Sequence, residues 1–308
     1  KFKKSDEEIF KIFQRHRKNY LSGGNISRLF RKIKQMNIKY VRLPITWCLI
    51  YKDTYELYGP NKKIKITKDS KIIKDPYFDK DNPGETKGLK HPHWVGIPIH
   101  SIKNILESAE DNGLKVLIDF HTHIGGSSYG SYSGTWPNAP RFWNDNTKAV
   151  DNIRIIIGKF CNWIKQNPKA MKGLYGITPM NEPAHLAGID TFYNKYKIWG
   201  DNKERRIRDI QNVLNNSIIE FRNSGLQNKK VKLIMNIIET STSDFPENGF
   251  PRWNEWWKNS TLQKERVQWA GLDVHHYEAW YDKSGCVSGF KTEGGDDSSF
   301  KECKKHLK

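Results

Sequence analysis

The sequence predicts an α/β fold: a parallel sheet wound by crossover helices, of the (β/α)8 barrel type. Three observations carry that expectation. Five short apolar runs alternate with helical patterns of apolar residues at three- and four-residue spacing. Six polar residues, Arg42, His121, Asn181, Glu182, His275 and Tyr277, fall toward the C-terminal ends of those runs, the edge where barrels place their active sites. No Gly-x-Gly-x-x-Gly turn opens a helix, which argues against an open, dinucleotide-binding sheet. The 308 residues are read as one domain, 1–308.

Taken in order, Gly23-Gly24-Asn25 reads as a turn and helix start, after which Ile26, Leu29, Phe30, Ile33 and Met36 form one apolar stripe. Ile38–Ile45 reads as a strand carrying one charge, Arg42; if that side chain points inward, it needs a carboxylate. Residues 51–93 are polar and without period, a long insertion of the kind that is functional or disordered. Ile99, Ile102, Ile105, Leu106 and Ala109 mark the next helix, with Gly113 as its C-terminal stop.

Leu114–His121 is the second strand. Asp119, His121 and His123 alternate and so share one face. They can hold a metal, or they can hydrogen-bond within a polar cleft. The second reading is preferred, because the Glu182 strand and the Leu233–Asn236 strand add no further His or Lys ligands, and no metal or other cofactor is expected. Tyr129, Tyr132, Trp136, Phe142 and Trp143 follow, aromatics suited to stacking on sugar faces or to packing the loop onto the barrel.

A helix with Ile153, Ile156, Ile157, Phe160 and Ile164 leads to the stretch that organises the chain, Leu174–Pro183. There an apolar strand ends in Asn181-Glu182-Pro183. Pro183 cannot continue a ladder and biases Glu182 toward extended geometry. A carboxyl at a strand tip, beside an amide that can bind a hydroxyl, suits acid/base work on a sugar. Ile210, Val213, Leu214, Ile218 and Phe221 mark a further helix, Val231–Ile238 a strand ending at Glu239, and Trp253, Trp256 and Trp257 a loop. Ala270–Tyr277 is the last clear strand, trailed by Trp280.

Composition bounds the function. The net charge of +18 comes from lysines spread along the whole chain rather than gathered in a stripe, so nucleic-acid binding is not expected. No run of 18 apolar residues exists, so no membrane helix is expected, and Lys1–Asp6 carries no signal-peptide core. Cys48 and Cys161 lie in apolar runs and read as buried thiols. Cys286 and Cys303, in a polar tail, could be joined as a disulfide, which together with Asn25, Asn215 and Asn259 in Asn-x-Ser/Thr context is compatible with an extracellular or cell-wall location.

Four motifs in order, Val41-Arg42-Leu43-Pro44, Ile118-Asp119-Phe120-His121, Met180-Asn181-Glu182-Pro183 and Asp273-Val274-His275-His276-Tyr277, resemble glycoside hydrolase family 5, the cellulase-like retaining barrels of clan A. The likeness is greatest to the fungal and oomycete exo-β-1,3-glucanase branch. It implies a retaining hydrolase that releases glucose from β-glucan, with Glu182 as acid/base and Asn181 on the 2-hydroxyl. Arg42, His121, His275 and Tyr277 would surround the nucleophile and the reacting sugar, and Trp280, Trp136 and Tyr129 would add contacts to the polysaccharide. It implies a monomer with no cofactor. An endo-β-1,4-glucanase or mannanase of the same family stays open, as does a non-catalytic carbohydrate-binding protein on this scaffold. The chain departs from the family pattern in two places. The first strand has no counterpart, and no apolar strand ending in Glu follows Tyr277. The chain is therefore expected to be an internal piece of a longer enzyme, with barrel strands two to six present, strands one, seven and eight missing, and the nucleophile beyond Lys308.

Overall fold

The computed structural model describes residues 5–50, 72–75, 93–127, 141–183, 203–239 and 250–275. Two helices open it, α1 (Asp6–Leu21) and α2 (Gly23–Gln35). Ser5 caps α1 with a reciprocal box to Glu8. Ser22 is the N-cap of α2, so Gly23 is the first helical residue rather than part of a turn.

The central sheet has five strands: β1 (Tyr40–Thr46), β4 (Lys115–Thr122), β5 (Leu174–Thr178), β6 (Lys232–Glu239) and β7 (Ala270–His275). They lie in the order β1-β4-β5-β6-β7 and every neighbouring pair is parallel. Sequential parallel strands joined by helices are the barrel pattern, and the α/β fold read from the sequence is the one observed. Between the strands run α3 (Ile99–Asp111), α4 (Asn146–Lys165), α5 (Pro168–Gly173), α6 (Lys203–Ser224), α7 (Phe250–Ser260) and α8 (Gln263–Gln268).

The predicted strand segments agree with β1, β4, β5, β6 and β7 to within a few residues. Among the described residues β1 borders only β4, which is where Pro44, lacking an N–H, can sit inside a strand. By contrast β4 is buried on both faces, through Val116, Ile118 and Phe120 on one and Asp119 on the other.

The helical stripes pack as their spacing requires. Ile153, Ile156, Ile157, Phe160 and Ile164 of α4 are all buried, as are Ile210, Val213, Leu214, Ile218 and Phe221 of α6. At the flanks the stripes are narrower than expected: Leu29, Met36 and Ile99 are exposed, leaving Ile26 and Phe30 to anchor α2. Gly113 takes φ +66 just after α3, as a helix stop should. Gly173 ends α5 against α3 so closely that a Cβ there would lie 1.9 Å from the Leu106 carbonyl oxygen.

One expectation fails here. Trp253, Trp256 and Trp257 are not on a loop but on one face of α7, and all three are buried. Their 0, 3, 4 spacing is itself a helical period. The insertion at 51–93 contains ordered structure, because β2 (Ile72–Lys74) pairs antiparallel with β3 (His93–Val95). Asp75, just after β2, is buried and accepts from Trp94 Nε1 at 3.2 Å and from the backbone N–H of Gly125 at 2.8 Å. The small hairpin is thereby pinned over the loop that leaves β4.

Candidate functional site

The C-terminal edge of the sheet gathers a continuous polar network. Arg42 is the third residue of seven-residue β1, so it starts below the rim rather than at the strand's end, and its long side chain makes up the distance. Its Nη2 donates to Asp119 Oδ2 at 2.9 Å and to Asn181 Oδ1 at 2.6 Å. The carboxylate that an inward-pointing Arg42 requires is Asp119, which is fully buried on β4. The same Oδ2 meets His121 Nδ1 at 2.7 Å. One carboxylate thus holds both a guanidinium and an imidazole that sit partly in solvent, with side-chain exposures of 32 % and 28 %.

His123, two residues on, is buried and does something different. Its Nε2 meets the Pro179 carbonyl oxygen at 3.0 Å, and its ring tilts against Phe142. Burial pushes its pKa down to about 4, so the ring is neutral and donates to Pro179. The alternating Asp119, His121 and His123 therefore work as hydrogen-bonding groups of a cleft wall. Among the described residues no His, Cys, Asp and Glu gather as a metal site.

β5 ends at Thr178, four residues before Glu182, and the segment between bends over the rim. Glu182 does not take the extended geometry that Pro183 favours. Its φ is +47, the left-handed region that a side chain with a Cβ rarely adopts. The conformation is held from outside: Glu182 N–H donates to Asn236 Oδ1 on β6 at 3.0 Å, and Asn236 Nδ2 donates to Asp273 Oδ2 on β7 at 3.1 Å. Glu182 and Asn181 are both buried. Because Arg42 engages the carbonyl end of the Asn181 amide, the NH2 end is the one turned to other acceptors.

The structure thus brings Arg42, His121, Asn181 and Glu182 together, along with Asp119, Asn236 and Asp273. Asp119 was read from sequence as a hydrogen-bonding group of the cleft; Asn236 and Asp273 had no role assigned. Asn236 was visible as the one polar residue within the apolar run Leu233-Ile234-Met235-Asn236-Ile237-Ile238. For His275 only the backbone is described, at the end of β7 in register with Glu239. Tyr129, Trp136, Tyr277, Trp280, Cys286 and Cys303 lie outside the described residues. Of the other aromatics expected beside the cleft, Phe142 and Trp143 are buried and pack on each other edge-to-face, so they fix the loop instead of offering a stacking surface. Cys48 and Cys161 are buried free thiols, as expected.

No family model matches the sequence, and no curated protein matches it either. Solved structures do. Rutinosidase from Aspergillus niger superposes with a TM-score of 0.50 at 12 % identity, covering 85 % of this chain and 57 % of that one. The GH53 catalytic domain of Ignisphaera aggregans gives 0.44 at 12 % identity, over 82 % and 52 %. A GH5_18 protein from Bifidobacterium longum subsp. longum gives 0.37 at 15 % identity, over 70 % and 39 %. The chain spans about half the length of the first two structures. At such identity the rutinosidase likeness shows the fold alone, an α/β barrel of parallel strands and helices.

Proposed function

We propose that the chain belongs to a retaining β-glycosidase that acts on β-glucan, with Glu182 as the general acid/base. One observation carries the reading. A buried glutamate is held in a left-handed turn at the sheet's C-terminal edge, next to an asparagine amide that an Arg42–Asp119 pair orients. Holding a carboxyl in a costly backbone conformation is a feature of functional sites. In this reading the amide NH2 of Asn181 donates to a sugar hydroxyl oxygen, and Glu182 protonates the glycosidic oxygen.

The chemistry follows the retaining scheme. A second carboxylate, expected about 5–5.5 Å from Glu182, attacks the anomeric carbon as Glu182 gives its proton to the departing oxygen. The C1–O bond to the leaving sugar breaks and a glycosyl–carboxylate ester forms. Glu182, now ionised, takes a proton from water, and the resulting hydroxide equivalent displaces the ester with a second inversion. Asp119 keeps Arg42 and His121 in place beside the reacting ring. In this reading the substrate is a β-1,3-glucan attacked from its end to release glucose, the enzyme is a monomer with one catalytic domain, and it works outside the cell or at the wall. The rutinosidase likeness in fold supports a glycosidase, and the four sequence motifs support the glucan branch.

The test is hydrolysis of laminarin against carboxymethyl-cellulose by the full-length protein and its Glu182→Gln variant. Glucose from laminarin only, lost in the variant, is the expected result. Attack on carboxymethyl-cellulose instead moves the substrate to a β-1,4-glucan. Laminarin binding without hydrolysis by either protein overturns the enzyme reading in favour of a carbohydrate-binding scaffold.

A further inference from the structure

We infer that Asn236, oriented by Asp273, is a positioning residue for the acid/base carboxyl: it acts through the backbone of Glu182 and touches no sugar. The inference rests on the acid/base reading of Glu182. It is argued from three facts about the β6–β7 side of the rim, opposite the Arg42–Asp119 side.

First, Glu182 sits at φ +47 with a full side chain, a state that persists only where the surroundings impose it. Second, that turn is tied to a neighbouring strand through Asn236, whose side-chain carbonyl oxygen accepts the Glu182 N–H at 3.0 Å. Both residues are buried, so without Asn236 this N–H would lose its partner away from water. Third, the Asn236 amide cannot simply rotate. Its NH2 donates to Asp273 Oδ2 at 3.1 Å, and a flip would set its oxygen against a carboxylate. β6 and β7 are in register at this pair, Asn236 opposite Asp273, so the relay is built on two sheet strands and not on loops.

The consequence is directional. A strand-mounted acceptor fixes where the Glu182 peptide plane lies, and this sets the path of its side chain toward the leaving oxygen. Arg42 and Asp119 orient Asn181, one residue earlier. The two sides of the rim thus divide the dipeptide: β1 and β4 set the amide that binds, while β6 and β7 set the carboxyl that transfers the proton. Loss of Asn236 should therefore damage proton donation more than sugar binding.

The experiment uses the full-length protein with two aryl β-glucosides, one with a 2,4-dinitrophenyl group that leaves unaided and one with a phenyl group that needs a proton. Asn236→Leu should lower kcat/KM, which reports formation of the glycosyl–carboxylate ester, by about 100-fold for the phenyl glucoside and by less than about 10-fold for the dinitrophenyl glucoside. Asp273→Ala, a milder change at a half-buried site, should show the same unequal loss at smaller size, and it serves if Asn236→Leu does not fold. Equal losses on both substrates, or no loss, overturn the inference and leave the acid/base role standing. If the parent protein cleaves neither glucoside, or if Glu182→Gln matches the parent on the phenyl glucoside, the acid/base reading falls and the positioning role falls with it.

Discussion

Acidification should weaken this protein's fold in a window set by His123. The ring is fully buried, donates to the Pro179 carbonyl, and has its pKa pushed by burial from 6.5 to about 4. The sign follows from where each state takes up its proton. The unfolded chain protonates His123 near pH 6.5, whereas the folded chain holds out to about pH 4. Between those values the unfolded state binds more protons, so stability is full above about pH 7, falls as pH drops through 6.5, and levels off below 4. A gap of about 2.5 pH units at 1.36 kcal/mol each gives roughly 3 kcal/mol, a large part of a typical domain's 5–15 kcal/mol. The assay is urea denaturation at steps from pH 7.5 to 3.5, on the native chain and on His123→Gln, whose amide keeps a donor for Pro179 without titrating. The native chain should lose roughly 3 kcal/mol more than the variant across the window. Parallel pH dependences in the two proteins would refute the assignment of a neutral, buried His123.

Further outcomes follow from other contacts. Asp119→Asn removes the charge that holds Arg42 and His121. Because Arg42 is partly solvated, the loss should be about 2 kcal/mol in chemical denaturation, below the range for a fully buried pair, and hydrolysis should fall with it. Gly173→Ala places a Cβ against the Leu106 carbonyl and should lower stability by about 3 kcal/mol, read as a fall in melting temperature. The Cys161 thiol has its pKa pushed up to about 12 by burial and that of Cys48 is raised further, so a thiol reagent at pH 8 should label both only after unfolding.

Much of this architecture was legible because it repeats simple periods. The stripes of α4 and α6 and the five apolar runs are single-period signals that a buried element must carry, and they fixed the strand order once crossovers were assumed. The demand that Arg42 find a carboxylate was also readable, because a charge in a buried strand has few options. Other features were not. The left-handed turn at Glu182 opposes the local preference set by Pro183, and it exists because Asn236, more than fifty residues later, holds the N–H. Such a tertiary override has no local sequence sign. The three tryptophans of α7 were read as a loop, when their spacing already showed a helix with one buried face. The hairpin of β2 and β3 was missed because each strand is only three residues long, too short to show alternation. Asp75 went unnoticed with it.

The measurement that tests the central claim most directly is azide rescue of Glu182→Ala in the full-length protein with 2,4-dinitrophenyl β-glucoside. An enzyme whose acid/base has been removed still forms the glycosyl–carboxylate ester from so good a leaving group, but stalls because no base activates water. Azide needs no base. The account predicts slow turnover by Glu182→Ala, acceleration by added azide, and a β-glucosyl azide product that retains the configuration of the substrate. Unimpaired turnover, or a stalled variant that azide does not accelerate, would contradict the assignment of Glu182 as the acid/base.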